Sequence, residues 1–173
     1  MLPKQAISFE QLQLEISKKE ILKMCSSLKL FPTPFRGVYY VPLEEERKGE
    51  FIENPRKVLH QSIGIFLGGH DFYFSCRTAE ENLGIGWRPS GSIHVVNTVL
   101  SRKINLANRI NLNKEKKTWR AKKIAKILSF YGNEIIFHKG QISGAKIKET
   151  PYGKFARKSQ IIRDRKRFKE RAT

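Results

Sequence analysis

The sequence predicts an α+β fold in three parts: a small N-terminal module at residues 1–48, a mixed α/β domain at 49–159 and a basic C-terminal helix or tail at 160–173. Segments with helical spacing alternate with segments rich in β-branched and aromatic residues, and 39% of the 173 residues are hydrophobic, which is enough to bury a core. Charge adds a third observation. Residues 1–101 hold 12 Lys and Arg against 11 Asp and Glu, whereas residues 102–173 hold 22 against 5.

A helix pair and a β-ribbon make up the N-terminal module. Ser8 is a typical N-cap for a short first helix, and Ser17, with a glutamate three residues later, forms a capping box that begins a second helix. The two prolines in the segment 31–35 exclude a helix there. Arg36-Gly37 indicates a turn, and the aromatic and β-branched residues 38–41 predict a strand.

Two short helices followed by strand, turn and strand is the order of a winged helix-turn-helix, whose second helix reads DNA. The exposed side of that helix and the tip of the turn then supply four candidate readers, Lys18, Lys19, Lys23 and Arg36. Only seven residues precede Ser8, so we expect the helix that normally comes before this pair to be short or missing. A generic α/β packing unit has the same element order and stays as the alternative.

The second domain follows a charged segment, residues 43–57, which predicts a linker. Residues 58–67 have both helical and strand character. Further along, the sequence predicts strands at 72–75, 93–100 and 134–138, a short helix at 78–83, a turn at 87–91, a strand plus a loop at 101–117, and helices at 119–131 and 160–169.

Two of these helices carry clusters of basic residues. Such self-repulsion is relieved when a polyanion binds, and phosphate backbones are the commonest polyanion in a cell. We therefore expect nucleic acid as the partner, with a solvated cationic surface or an anionic membrane as the alternatives. The predicted phosphate contacts are Arg120, Lys122, Lys123, Lys126, Arg163, Arg165, Lys166 and Arg167. We expect the last four to lie in a segment that is ordered only in part and lacks a fixed apolar anchor.

Three aromatic residues flank the basic region. Trp119, Tyr131 and Tyr152 either stack on unpaired bases or belong to the core, and core is the commoner role for such residues. No apolar run is long enough for a membrane span or a signal peptide, so the sequence predicts no membrane partner and a cytoplasmic location.

Chemistry that needs a cofactor, a metal or a nucleophile is not predicted. The 4 histidines occur at no metal-ligand spacing, and no glycine-rich loop is followed by the Lys-Ser or Lys-Thr of a P-loop. Cys25 and Cys76 form no CxxC pair, and we expect two buried, reduced thiols. The enzymatic alternative is a metal-dependent nuclease in which Glu134, with Asp71 or Glu80, holds Mg²⁺.

A series of short motifs carries a family resemblance. Gly37-Val38-Tyr39-Tyr40-Val41-Pro42 closes the N-terminal helix pair, and it is followed by Tyr73-Phe74-Ser75, Thr78-Ala79, Leu83-Gly84-Ile85, and Pro89 before Ile93-His94-Val95-Val96. In this order they resemble the winged helix and second domain of the AbiEi-type antitoxins, transcriptional regulators of abortive-infection (type IV toxin–antitoxin) systems. The resemblance covers about residues 8–100.

The resemblance implies a DNA-binding repressor that controls its own operon and counters a nucleotidyltransferase-type toxin. It implies DNA contacts from the second helix and the wing, whereas the charge distribution points to the second half of the chain. Repressors of DNA usually dimerise, so a homodimer is expected. The second interpretation is an RNA-binding or ribonucleoprotein component whose basic tail folds on RNA.

Overall fold

The computed structural model describes residues 2, 4–85 and 89–169. Within these residues it is a mixed α/β structure with eight helices and two sheets, which confirms the predicted α+β class. None of the helices in this described part combines the length and the apolar character needed to cross a membrane. In chain order the elements are β1 Ala6–Ser8, α1 Phe9–Gln13, α2 Lys18–Ser26, β2 Phe31–Pro32, β3 Val38–Tyr40, α3 Glu44–Gly49, α4 Pro55–Phe66, β4 Phe72–Phe74, α5 Cys76–Asn82, β5 Ser92–Asn97, β6 Arg102–Asn105, α6 Leu106–Glu115, α7 Trp119–Ser129, β7 Glu134–Lys139, β8 Ile147–Thr150, β9 Gly153–Ala156 and α8 Lys158–Arg167.

The chain divides into two compact units, and each of them consists of two separate segments of the sequence. Unit 1 comprises Met1–Gly69 and Leu106–Tyr131, and unit 2 comprises His70–Asn105 and Gly132–Thr173. The predicted boundary after residue 48 falls inside unit 1. A segment of the predicted second domain, α6 and α7, also belongs to unit 1.

The N-terminal part of unit 1 has the helices and strands that the sequence predicts. The Ser8 hydroxyl accepts the Gln11 N–H at 3.1 Å, and the Ser17 hydroxyl accepts the Glu20 N–H at 3.3 Å, so both predicted caps are confirmed. Strands β1, β3 and β2 form an antiparallel sheet in that order, with Ser8 opposite Val38. The apolar residues Leu12, Ile21 and Leu30 are buried in one core cluster, which fixes α1 and α2 to each other and to the sheet.

Residues 43–57 are not a linker, and this prediction was wrong. They form α3 and the start of α4, and Glu46 on α3 is buried. The Glu46 carboxylate accepts hydrogen bonds from the Tyr40 hydroxyl at 2.8–2.9 Å and from the Leu43 and Glu53 N–H groups at 2.8 and 2.9 Å. A charged run usually indicates a solvated segment, but here one carboxylate organises the local backbone.

The segment between residues 106 and 115 is the helix α6 and not the predicted loop. Its Leu106 and Ile110 are buried, and α6 packs against α7. The predicted helix at 119–131 is confirmed as α7, which begins where the Thr118 hydroxyl accepts the Ala121 N–H at 3.3 Å. Asparagine-rich sequences favour turns, so the burial of two apolar residues four positions apart overrides the local preference.

Unit 2 is built on a six-stranded mixed sheet with the order β6-β7-β5-β4-β9-β8. Strands β5 and β7 are parallel, as are β4 and β9, and the other neighbours are antiparallel. All three residues of β4 are buried, as are the last five of β5. Their continuous apolar character reflects a central position in the sheet with both faces covered. The predicted turn at 87–91 includes Trp87 and Arg88, which lie outside the described residues.

Helix α8 is anchored, contrary to the prediction of a basic segment without a fixed anchor. Ile161 and Asp164 are buried, and α8 packs against α5 and β9. The Asp164 carboxylate accepts hydrogen bonds from the Tyr73 hydroxyl at 3.0 Å, the Gln160 amide at 2.8 Å and the Ser75 hydroxyl. The sequence did not indicate this role of Asp164, because a single aspartate among basic residues looks like part of a solvated charged segment.

Candidate nucleic-acid interface

The fold divides the positive charge evenly, although the sequence does not. Unit 1 contains 18 Lys and Arg against 9 Asp and Glu, and unit 2 contains 16 against 7, so each unit carries a net charge of +9. The difference from the sequence halves arises because α6 and α7, with the loop between them, join the nearly neutral N-terminal segment. Each unit therefore has enough positive charge to attract a polyanion by itself.

Within unit 1, the two helices predicted to contact DNA meet. The Arg120 guanidinium on the first turn of α7 lies 3.5 Å from the Cys25 carbonyl oxygen near the end of α2. The predicted reader helix and the predicted phosphate-binding helix are thus neighbours in one compact unit. The sequence predicts the two helices in separate domains and does not indicate whether the surface of α2 or that of α7 is the interface.

The basic residues of α2 lie at its exposed N-terminal end and along its exposed side. Lys18 and Lys19 are the first two residues of the helix, and Lys23 follows one turn later; all three are exposed. Arg36 is exposed in the turn before β3, where Gly37 has a φ of +77°. That left-handed backbone is one that glycine adopts without strain, which explains the tight turn beside Arg36.

The basic residues of α7 differ in how far they are already neutralised. Lys123 and Lys126 lie 3.3 and 3.5 Å from the Glu50 carboxylate, and the Lys123 side chain is only 12% exposed. Lys122 is exposed and, within the described residues, has no ion pair. Of the four predicted contacts on this helix, Arg120 and Lys122 are therefore more available to a ligand than Lys123 and Lys126.

Trp119 is the most exposed of the three aromatic residues considered for base stacking. It begins α7 with 64% of its surface accessible, and the Lys123 ammonium lies 4.8 Å from its ring centroid. Tyr131 is buried in the core, whereas Tyr152 is partly exposed on unit 2. A large exposed indole among cations has the composition of a base-stacking platform.

The position of the charges along α7 is electrostatically unfavourable for the helix itself. Its first turn contains Arg120 and no acidic residue, and the exposed Lys116 and Lys117 precede it. The N-terminal end of a helix carries a partial positive charge, so cations there reduce stability by about 0.3–1 kcal/mol each at low ionic strength. The same arrangement raises the local affinity for an anion.

Helix α8 has the opposite arrangement. Arg165, Lys166 and Arg167 lie in its last turn, where the negative end of the helix dipole stabilises cations. Arg165 is also paired with Glu80 at 2.8 Å. Arg163, Lys166 and Arg167 are exposed. The helix dipole therefore stabilises much of the α8 charge, whereas it opposes the N-terminal charge of α7, where Arg120 contacts the Cys25 carbonyl oxygen.

One titratable group lies at the junction of α2 and α7. Burial raises the pKa of the Cys25 thiol, and a hydrogen bond with Tyr39 and the charge of Arg120 only partly oppose this effect. The thiol is thus protonated at neutral pH. It is half-buried, whereas we expected it to be buried; Cys76 is buried, as predicted. The Cys25 thiol supplies packing at the junction and no nucleophile.

The three carboxylates of the nuclease alternative do not form a group. Within the described residues, each has its own cation: Glu134 pairs with Lys103, Asp71 with Lys154, and Glu80 with Arg165. The hydrogen bond from Lys103, followed by that from Ser92, lowers the pKa of Glu134. Each of the three carboxylates is thus engaged by a different basic side chain.

A different set of chemically active side chains does come together in unit 2. Cys76, His94 and His138 offer donor atoms that all lie within 4.8 Å of one another. The sequence separations gave no indication of this cluster. Two of the predicted strands each contain one histidine. These histidines become neighbours because β5 and β7 pair in parallel, and the sequence does not show that pairing.

Comparison with known proteins adds no assignment: no protein-family model, curated protein or solved structure matches this chain.

Proposed function

We propose that this chain binds nucleic acid without catalysis, and that it is a DNA-binding transcriptional regulator of the antitoxin type. The observation that carries the proposal is the presence in unit 1 of exposed cations at the N-terminal ends of both α2 and α7, two helices joined by the contact of Arg120 with Cys25, together with an exposed Trp119. These charges reduce the stability of their own helices, and a bound phosphate backbone would offset that cost. Such a regulator would act in the cytoplasm.

The element order of unit 1 supports a winged-helix assignment for its first part. The order β1-α1-α2-β2-β3 and the sheet order β1-β3-β2 agree with a helix pair followed by a wing. Among the described residues before α1, the structure forms the strand β1. Helix α4 contacts β1 and β3, and the Gln61 side-chain oxygen accepts the Ala6 N–H at 3.1 Å, so a later helix would fill the place of the helix that normally precedes the pair.

Within this assignment the residues have distinct roles. Recognition helices contact base edges with their N-terminal residues, a position that Lys18 and Lys19 occupy on α2. Arg36, at the tip of the wing, would contact the neighbouring phosphate backbone of the DNA. Arg120 and Lys122 on α7 would neutralise phosphates and fix the register without reading sequence.

Salt dependence of binding tests the location of the interface. We expect the triple variant Arg36→Gln, Arg120→Gln and Lys122→Gln to reduce the slope of log K against log salt by about 2.7 on duplex DNA, because each lost phosphate contact contributes about 0.9. The matched triple variant Lys158→Gln, Arg163→Gln and Lys166→Gln removes the same charge from α8. Its slope should change by less than about 1.

The two triple variants also separate the proposal from general electrostatic attraction. Equal losses in both would indicate a diffuse cationic surface, and a larger loss in the α8 variant would move the interface to unit 2. No binding of the wild type to DNA or RNA at low salt would end the proposal altogether. If the chain binds DNA, the protein partner to test next is a nucleotidyltransferase-type toxin. A pull-down with the protein that the adjacent gene encodes would test this.

RNA remains the second candidate because of one observation, the exposure of Trp119 beside Lys122 and Lys123. An indole stacks on unpaired bases, and each such stack contributes about 1–3 kcal/mol. If the ligand is an RNA loop, Trp119→Ala should weaken binding to it at least fivefold. If the ligand is duplex DNA, the same substitution should have little effect, and competition between the two ligands then decides.

A further inference from the structure

We infer that Cys76, His94 and His138 form a binding site for one Zn²⁺ ion in unit 2. This inference concerns a region separate from the residues that carry the proposed function. Within the described part of the chain, these three residues are the group of His, Cys, Asp and Glu side chains whose geometry suits a metal ion.

The sheet brings the two histidines together. His94 on β5 lies opposite Ile136, and His138 on the parallel strand β7 lies opposite Val96, so the two histidines are diagonal neighbours on one face. Their rings are stacked, with an angle of 7° between planes and 5.3 Å between centroids. The His94 Nδ1 and His138 Nε2 atoms are 3.0 Å apart. These two nitrogens therefore face each other at hydrogen-bond distance, and a bound ion would replace that hydrogen bond.

The Cys76 thiol lies just after β4, the strand that pairs with β5. The Ser75 N–H donates to the His94 carbonyl oxygen at 3.0 Å, and Cys76 follows as the first residue of α5. The backbone of Cys76 has a φ of +51°, a left-handed conformation that costs a non-glycine residue on the order of 1–3 kcal/mol. The buried bond from Ser75 to Asp164 holds the preceding residue in place and so maintains this conformation.

The separations of the donors bracket those of a zinc site. Zinc binds imidazole nitrogen at about 2.0–2.1 Å and thiolate at about 2.3 Å, so tetrahedral ligands lie about 3.3–3.6 Å from one another. The three donor atoms here have a closest pair at 3.0 Å and none farther apart than 4.8 Å. Small side-chain rotations would bring all three to one ion. A fourth position would be filled by water.

Burial and donor type narrow the identity of the ion. Cys76 and His94 are buried and His138 is partly exposed, so an ion could enter past His138 and then be shielded from water. A thiolate in this environment requires a compensating positive charge, which Zn²⁺ provides. Mg²⁺ and Ca²⁺ require oxygen ligands, which the cluster lacks. The bound ion would connect the start of α5 to β5 and β7.

Metal content and spectroscopy of the full chain test the inference. The wild type, stripped with a chelator and then titrated, should bind one Zn²⁺ per chain, and Co²⁺ should produce a thiolate-to-metal charge-transfer band. Zinc at a hundredfold excess over its dissociation constant should raise the melting temperature by about 5–10 °C. Cys76→Ser and His138→Gln should lower the affinity at least tenfold. The matched variants Cys25→Ser and His70→Gln should bind as the wild type does.

Two results would overturn the inference: no charge-transfer band in the wild type at excess Co²⁺, or equal metal binding by Cys76→Ser and Cys25→Ser. Zinc X-ray absorption on the wild type needs no variant, so it decides the matter even if Cys76→Ser fails to fold. We expect one sulfur and at least two nitrogens around the ion. A first shell of oxygens alone would show that zinc binds elsewhere.

Discussion

Helices α7 and α8 have similar lengths and similar numbers of basic residues, but they hold their charge in different ways. On α7 the exposed cations begin at the N-terminal end, where the helix dipole opposes them, and on α8 they gather in the last turn, where the dipole favours them. Charge on α8 therefore has a role in stability. The position of a charge on a helix therefore indicates its function better than the number of charges does.

The two helices also differ in how they are attached. Helix α7 is attached by an apolar side, with Ala121, Ala125, Ile127 and Leu128 buried. Helix α8 buries Ile161 and is attached in addition by the carboxylate of Asp164. Hydrophobic contacts are not directional, whereas a buried carboxylate with several donors fixes one orientation. Helix α8 should thus be the more sensitive to a single polar substitution.

The largest effect is expected when that attachment is removed. Asp164→Ala leaves the Tyr73 and Ser75 hydroxyls and the Gln160 amide without their shared acceptor. Buried donors without partners cost about 1–3 kcal/mol each, so we expect a loss of about 3–5 kcal/mol in the free energy of unfolding. Urea denaturation followed by circular dichroism measures this loss.

Asp71→Ala is the matched control, since Asp71 is exposed on the same unit with a single ion pair to Lys154 at 3.4 Å. It should change the free energy of unfolding by less than about 0.5 kcal/mol. A similar small effect for Asp164→Ala would show that α8 is held by its apolar contacts, as α7 is, and the contrast between the helices would fail.

Alkaline pH should distinguish the two units through their buried tyrosines. Burial is the main cause that raises the pKa of Tyr40 and Tyr131 in unit 1 and of Tyr73 in unit 2. Glu46 adds to the effect in unit 1 and Asp164 in unit 2.

The sign follows from proton binding. Above the unfolded pKa of about 10, the unfolded chain releases these protons and the folded chain retains them, so stability is complete below pH 10 and falls as pH rises. Each tyrosine contributes about 1.4 kcal/mol per pH unit to the fall. Unit 1, in which burial also raises the pKa of Tyr39 and of the Cys25 thiol, should lose stability more steeply than unit 2.

Phenylalanine variants measure these slopes. In urea denaturation between pH 8 and pH 11, Tyr131→Phe and Tyr73→Phe should each reduce the total loss of stability by about 1.4 kcal/mol, nearly all of it above pH 10. Tyr152→Phe, which removes an exposed hydroxyl, serves as the control and should leave the slope unchanged. If Tyr131→Phe also leaves it unchanged, the Tyr131 hydroxyl ionises in the folded state and unit 1 is open to water there.

Most elements of the fold could be predicted from the sequence because their signals are local. The caps at Ser8 and Ser17, the turn at Gly37 and the helical spacing of residues 119–131 each lie within a few residues of the structure that they determine. Segment 43–57 was predicted wrongly because the burial of Glu46 depends on Tyr40 and on the backbone of a later residue. A charged residue in sequence gives no indication that it will find such partners.

The candidate sites depended on contacts that sequence does not contain. All the predicted cations were visible as charges, but whether each is free was decided by partners elsewhere, such as Glu50 for Lys123 and Glu80 for Arg165. The meeting of α2 and α7 needs the chain to leave unit 1 after residue 69 and return at 106. Contact between such distant segments is a property of the tertiary fold.

The smallest expected effect tests the comparison between the helices directly. The pair Lys117→Gln and Lys122→Gln removes two cations near the N-terminal end of α7, and the pair Lys166→Gln and Lys169→Gln removes two near the C-terminal end of α8. Each pair takes the same charge from a unit of net charge +9, so relief of general repulsion is matched. The expected difference in stability between the two pairs therefore comes from the helix dipole. At low salt the α7 pair should gain about 0.5–1 kcal/mol in free energy of unfolding, and the α8 pair should lose a similar amount.

High salt provides the check on this difference, because dipole effects at exposed sites are screened within about 3 Å at 1 M salt. The two pairs should then have nearly equal stabilities in urea denaturation. If the α7 pair is less stable than the wild type at low salt, its lysines support the fold and need no ligand to explain them. If it is more stable and binds DNA more weakly, the chain retains cations that reduce its own stability because a phosphate backbone uses them.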